Sequence, residues 1–284
     1  MSVAALLLVV GLVNPFVGTE GNGNCLVGPT HPFGMVQPGP DTVLDGGSVC
    51  NGYRKSHLGI YGFSQDHLNG TGCPAGGNVR LLPFSGESAV WDMRGVKDVT
   101  SEMAEPGYYA VALTNFGVRV EITATARVAY YRFHYNQRPA RLLIDLQAGL
   151  VHRPDATIHN HVTNAMSRLN ADGRSLEGCN HTQAWISRTC GFAVRFNRVW
   201  TRAERLLRNP GEKADRYVLD FDLREGEPLE VRVALSNHDE IGARRNLAAE
   251  GGGSFDAVRA AACAEWERWL SRCSVSGACL QGQT

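Results

Sequence analysis

The run Gly62-Phe63-Ser64-Gln65-Asp66-His67-Leu68-Asn69-Gly70-Thr71-Gly72-Cys73 gathers an imidazole, a carboxylate, hydroxyls and a thiol among glycines. Glycine admits positive φ and lets the backbone approach a ligand closely. Polar side chains between such glycines can converge on one point. A plain turn needs a glycine or two, not this density of donors and acceptors. The first candidate binding set is therefore His67, with Gly70, Thr71, Gly72 and Cys73 shaping the loop around it. The competing role for His67 is to tie the loop together. Asp66 is a weaker candidate, because aspartates in such loops mostly cap turns. Asp41 and Asp45 lie in another glycine-rich stretch and carry the same default.

Other chemistry-bearing residues give less. His159 and His161 share one face of an extended segment, but two ligands do not make a zinc site. His31 stands between Thr30 and Pro32, where a structural hydrogen bond is the default. Trp91 reads as packing. Tyr53 is divided between a stacking platform and a core tyrosine. Eight cysteines contain no Cys-x-x-Cys, so zinc-ribbon and thioredoxin readings have no support. Gly21-Asn22-Gly23 is too short for a phosphate loop.

The elements that must position this loop are mostly strands. Residues 14–87 are rich in loops and prolines, with 79–82 the strand candidate. Strands are expected at 108–113, 118–126, 128–135, 141–146, 184–187, 193–196, 217–222 and 229–235, with turn signals between them. Residues 118–126 alternate strictly, with Val118, Val120, Ile122 and Ala124 on one face. The recurrence predicts a large antiparallel β-sandwich. Residues 241–250 read as a helix, and Ser254 as the N-cap of another that runs to about residue 271. That second helix carries an aromatic stripe at Trp266 and Trp269 with little chain left to cover it. Residues 1–13 are apolar but lack a basic start. They divide between an altered export leader and an extension of the first strand.

Composition narrows the partners. With 28 basic and 28 acidic residues, the chain lacks the cationic excess that nucleic acid or an anionic membrane demands. Its 284 residues, 43% hydrophobic, can bury a full core. The 32 glycines fit many tight turns.

Ordered motifs run along the chain. They are Asn14-Pro15-Phe16-Val17-Gly18-Thr19, Pro29-Thr30-His31-Pro32-Phe33-Gly34-Met35-Val36-Gln37-Pro38, and Pro40-Asp41-Thr42. Gly52-Tyr53, Ile60-Tyr61-Gly62-Phe63-Ser64 and His67-Leu68-Asn69-Gly70-Thr71-Gly72-Cys73 follow. Then come Pro106-Gly107-Tyr108-Tyr109-Ala110-Val111, Glu121-Ile122-Thr123-Ala124-Thr125 and Ala243-Arg244-Arg245-Asn246-Leu247. Together, in this order, they resemble glycoside hydrolase family 92, the calcium-dependent exo-α-mannosidases. The chain departs from the family at Gln65, where a histidine is usual, and at Asn69, where serine is usual.

The resemblance implies a galactose-mutarotase-like sandwich over 14–240, linker helices over 241–272, and the start of an (α/α)6 barrel over 273–284. It implies hydrolysis of terminal α-mannosides of N-glycans with inversion. That chemistry needs a protonated carboxyl and a carboxylate about 6.5–9.5 Å apart, with water between. The resemblance puts both carboxyls, and most calcium ligands, in the barrel, so this chain holds no catalytic residue and no metal ligand. What it supplies is one wall of the sugar pocket: His67, Gly70, Thr71, Gly72 and Cys73, with Asp66 on a hydroxyl pair and Tyr53 against a ring. Partners are mannose-containing glycans and the barrel, with no nucleic acid and no membrane. The family location is secreted or periplasmic. The alternative is a non-catalytic carbohydrate-binding β-sandwich.

Overall fold

The computed structural model describes residues 9–44, 47, 49–70, 72–86, 89–150, 161–183 and 187–273. The strands in chain order are β1 (Gly39–Asp41), β2 (Gly59–Ile60), β3 (Gly62–Ser64), β4 (Arg80–Phe84), β5 (Gly95–Val96), β6 (Met103–Glu105), β7 (Tyr108–Leu113) and β8 (Val118–Ala124). They continue as β9 (Val128–Tyr135), β10 (Ala140–Asp145), β11 (Val162–Leu169), β12 (Ser175–Gln183), β13 (Ser187–Phe196), β14 (Trp200–Arg205), β15 (Arg216–Phe221) and β16 (Leu229–Ser236). Two helices close the described chain, α1 (Glu240–Glu250) and α2 (Phe255–Leu270).

A six-stranded sheet in the order β1-β3-β4-β10-β15-β14 faces an eight-stranded sheet in the order β11-β12-β13-β16-β9-β8-β7-β6. The β-sandwich followed by helices is thus the observed architecture. Alternation supplies the core. Leu142, Ile144 and Leu219 from the first sheet meet Val120, Ile122, Tyr131, Phe133, Phe192 and Val233 from the second.

The strict alternation of β8 predicts one wet face, yet the strand is buried on nearly all positions. The reason is α2, which lies across the outward face. Phe255 and Val258 pack there with Tyr108, Ala110, Val128 and Tyr130 in a second core. Both helices have the caps their sequences call for: Asp239 accepts from Gly242 N and Ser254 accepts from Ala257 N.

Four expectations change. β1, β2 and β3 arise inside the segment read as loops, because each is too short for any pattern to show. The edge strands β11 and β14 are largely exposed, so they lack the inward apolar set that marks a strand. Val9–Leu12 is a 3-10 turn rather than a strand extension, and its Val10 N donates to the Glu267 carboxylate at 2.8 Å. The aromatic stripe of α2 has a cover from its own chain: Trp266 Nε1 donates to Thr30 O at 2.6 Å, and Trp269 meets Phe33 edge-on at 4.8 Å. Of the expected strand at 184–187, residues 184–186 lie outside the described residues.

Candidate functional site

The loop after β3 is anchored from beneath. His67 is 4% exposed. Its Nδ1 faces Gln37 O at 2.7 Å and its Nε2 faces Asp41 Oδ1 at 2.9 Å. Ser64 Oγ donates to the same Asp41 oxygen at 3.0 Å. Burial alone would push the His67 imidazole down, but the hydrogen bond and charge of Asp41, with the Gln37 carbonyl, hold it above its ordinary value. Both ring nitrogens of the imidazolium are then donors, and both have acceptors. The imidazole is therefore tied into β1 and β3 rather than turned outward.

Asp66 is also engaged. Asn78 N donates to its Oδ1 at 2.8 Å, Asn78 Nδ2 to its Oδ2 at 2.9 Å, and Arg188 pairs with it at 3.1 Å. Gln65 accepts from Tyr131 OH at 3.0 Å and donates to the Phe63 and Val79 carbonyls. Gly76 and Gly77, both at positive φ, let the returning strand press against this base: a Cβ on Gly76 would overlap the Asp66 carbonyl.

Above the base the chain opens. Asn69, Gly70 and Gly72 are exposed and Cys73 is half-buried. Gly70 N donates to Asn24 O at 2.7 Å, and Asn69 Oδ1 accepts from Leu26 N at 2.9 Å. Cys50 Sγ donates to Gly72 O at 3.0 Å, and its thiol is pushed up by burial and by the neighbouring Cys73. Thr71 lies outside the described residues, as do Asp45 and His159. A cleft of about 170 Å3 brings Asn69 of this loop beside Thr30 and Trp266.

Phe33, missed as a candidate in the sequence, stands on the same side. It is 85% exposed with φ +61°, edge-on to Trp269 one helical turn beyond Trp266. A bulky residue in the left-handed region is strained, and such strain collects at functional sites. The only sequence signal was an aromatic before glycine in Pro32-Phe33-Gly34.

Tyr53 sits elsewhere. It is 1% exposed, and its hydroxyl donates to Glu102 Oε1 at 2.8 Å. Glu102 also accepts from Tyr109 and pairs with Lys97 at 3.0 Å. Burial and the Glu102 charge push the Tyr53 phenol far up. Its ring is core packing in this fold, with no face open to stack on a ligand. His31 Nδ1 meets Pro32 O, His161 Nε2 meets Ala148 O, and Trp91 packs against the Arg216 guanidinium.

Among the described residues, no group of three or more His, Cys, Asp or Glu side chains could hold a metal. Asp41 Oδ2 is buried with no hydrogen-bond partner among them. One such oxygen beside an imidazolium does not fit calcium, which takes about six to eight oxygens. The described residues do not make a calcium site.

The model of the glycosyl hydrolase family 92 N-terminal domain matches residues 12–236. The chain belongs to this family. A relative from Arthroderma benhamiae, described as an uncharacterized secreted glycosidase, is 28% identical over 94% of this chain and 38% of its own length. The solved structure of a family GH92 α-mannosidase from Bacteroides thetaiotaomicron superposes with TM-score 0.87 at 28% identity, over 97% of this chain and 40% of that one. An inverting mannosidase from the same organism, at 20% identity and TM-score 0.82, shares the fold. The family 92 domain thus spans 38–40% of the length of these relatives. None of its described helices is long and apolar enough to cross a membrane.

Proposed function

We propose that this family 92 domain forms one wall of the sugar pocket in a longer, exported, calcium-dependent exo-α-mannosidase. The enzyme removes terminal α-mannose from N-glycans with inversion, and the domain docks the helical barrel that carries the catalytic carboxylates and the calcium ligands. The observation that carries this reading is the division within residues 62–73. A buried base of Asp41, Ser64 and His67 fixes the loop, while Gly70 and Gly72 remain at the surface and Cys73 is half-buried. The exposed rim of that loop suits sugar hydroxyls, and the exposed Phe33 ring suits the apolar face of a pyranose. The B. thetaiotaomicron α-mannosidase at 28% identity has also been solved with mannoimidazole, which supports a mannose-shaped ligand.

Three buried acids of the sandwich do not fit the role of a general acid. A general acid needs a carboxyl held protonated by a raised pKa. Burial would raise Asp145, Glu121 and Glu212, but each is held below the usual range: Asp145 by Arg216 and Arg80, Glu121 by His134 and Arg132, Glu212 by Arg216. Substituting Phe33→Ala in the longer protein tests the wall. Its kcat/KM for an aryl α-mannoside should fall at least about tenfold, with no more than about 1.5 kcal/mol of stability lost with the Trp269 contact. An unchanged kcat/KM would remove this side of the domain from the pocket.

A further inference from the structure

A second concavity lies on the outward face of the eight-stranded sheet, beneath α1. Its cleft, of about 510 Å3, is lined by Arg168, Arg195, Arg232 and Arg244, with Glu177 the acid among its walls. An adjoining cleft of about 160 Å3 shares Arg195 and Arg232 and adds Arg174 and Glu230. In a chain with equal numbers of acidic and basic residues, this is a concentrated positive surface.

The acids present offset it only in part, Asp172 acting on Arg195 through its charge without an ion pair. Glu177 pairs with Arg168 and, at 3.6 Å, with Arg244. The Asp172 carboxylate is taken by Ser175 Oγ and by the Arg174 and Ser175 amides. Arg232 donates to a neutral acceptor, Gly253 O, and lies over the Tyr130 ring at 5.4 Å. Among the described residues, neither Arg195 nor Arg232 has a carboxylate within ion-pair distance.

The strand register sharpens this. Arg195 of β13 and Arg232 of β16 are direct cross-strand partners. Their inward neighbours Val194 and Val233 are in the core, so both arginines share the outward face. Like charges placed directly opposite one another destabilise a sheet. An oxyanion between them reverses the sign of that interaction, and the planar guanidinium fork matches its geometry. The place is separate from the loop at 62–73. Arg188, which grips Asp66, lies at the other end of β13, about 23 Å away along an extended strand.

We propose that Arg195 and Arg232 form a binding site for a phosphate or sulfate oxyanion, flanked by Arg168, Arg174 and Arg244. Calorimetric titration of the purified chain at low salt with inorganic phosphate, inorganic sulfate and glucose 6-phosphate tests it. Saturable one-site binding that weakens as sodium chloride is added is expected. Arg195→Gln should weaken it at least about tenfold. It should not lower the melting midpoint in phosphate-free buffer, and it should abolish the rise that phosphate gives the parent. Tighter binding of glucose 6-phosphate than of phosphate would identify a sugar-borne ester, and equal binding a free oxyanion; either supports the site. Arg202→Gln, on exposed β14, should bind as the parent does. The proposal is overturned if none of the three ligands saturates. It is equally overturned if Arg195→Gln binds like the parent or melts lower without phosphate, or if Arg202→Gln loses as much.

Discussion

His67 Nε2 lies 2.9 Å from Asp41 Oδ1, with the imidazole side chain fully buried and the carboxylate 1% exposed. The pair joins the loop to the edge of the six-stranded sheet, across residues that the chain separates widely. A buried ion pair is a weak source of net stability, but losing one partner strands the other.

His67→Ala should therefore cost about 3 kcal/mol or more of unfolding free energy, because it leaves the Asp41 charge unpaired. Asp41→Asn should cost less, since an amide oxygen still accepts from Ser64. Denaturant unfolding of both variants measures this. If His67→Ala unfolds at the parent midpoint, the anchor does not hold the loop.

The same pair sets a pH dependence. The folded His67 pKa lies above the unfolded value near 6.5. Its contribution is then complete below about pH 6.5 and is lost as pH rises through the folded value. Melting curves across pH 6 to 9 should show a fall that His67→Gln removes. A parent profile that matches the variant across this window would contradict the assignment.

Gly76 and Gly70 both have positive φ, but their surroundings differ. An alanine Cβ at 76 overlaps the Asp66 carbonyl, whereas at 70 it meets open space. Gly70→Ala should cost about 1–2 kcal/mol from backbone strain alone, and Gly76→Ala clearly more. Equal losses in thermal unfolding would mean that the loop base relaxes freely.

Tyr53→Phe removes one of the two hydroxyls that serve Glu102 Oε1 and leaves the Tyr109 donor in place. A loss of about 1–2 kcal/mol is expected, with no change in mannoside KM in the longer protein. A raised KM without lost stability would return Tyr53 to the pocket.

The parts legible in the sequence were those whose side chains report their surroundings. β8 and β16 alternate in sequence, and β7 and β9 are rich in aromatic and β-branched residues, because one face of each meets the sandwich core. Their second burial under α2 was hidden, since Tyr108, Tyr130 and Glu121 are plausible on a wet face too. β11 and β14 gave no signal because edge strands need few apolar residues. The loop at 62–73 stood out by composition. Its mechanics did not, because the acceptors for His67 come from Asp41 and from the carbonyl of Gln37. A backbone acceptor leaves no mark in residue types. Tyr53 was undecided because phenol chemistry suits core and platform alike, and only the position of Glu102 separates them.

Mannose release from an aryl α-mannoside, with calcium present, tests the central claim most directly: this domain shapes the pocket but lacks the carboxylates that break the bond. The 284-residue chain alone should release none, while the longer protein releases α-mannose and inverts it to the β anomer. Turnover by the chain alone would place the catalytic acid and base within these residues and contradict the account.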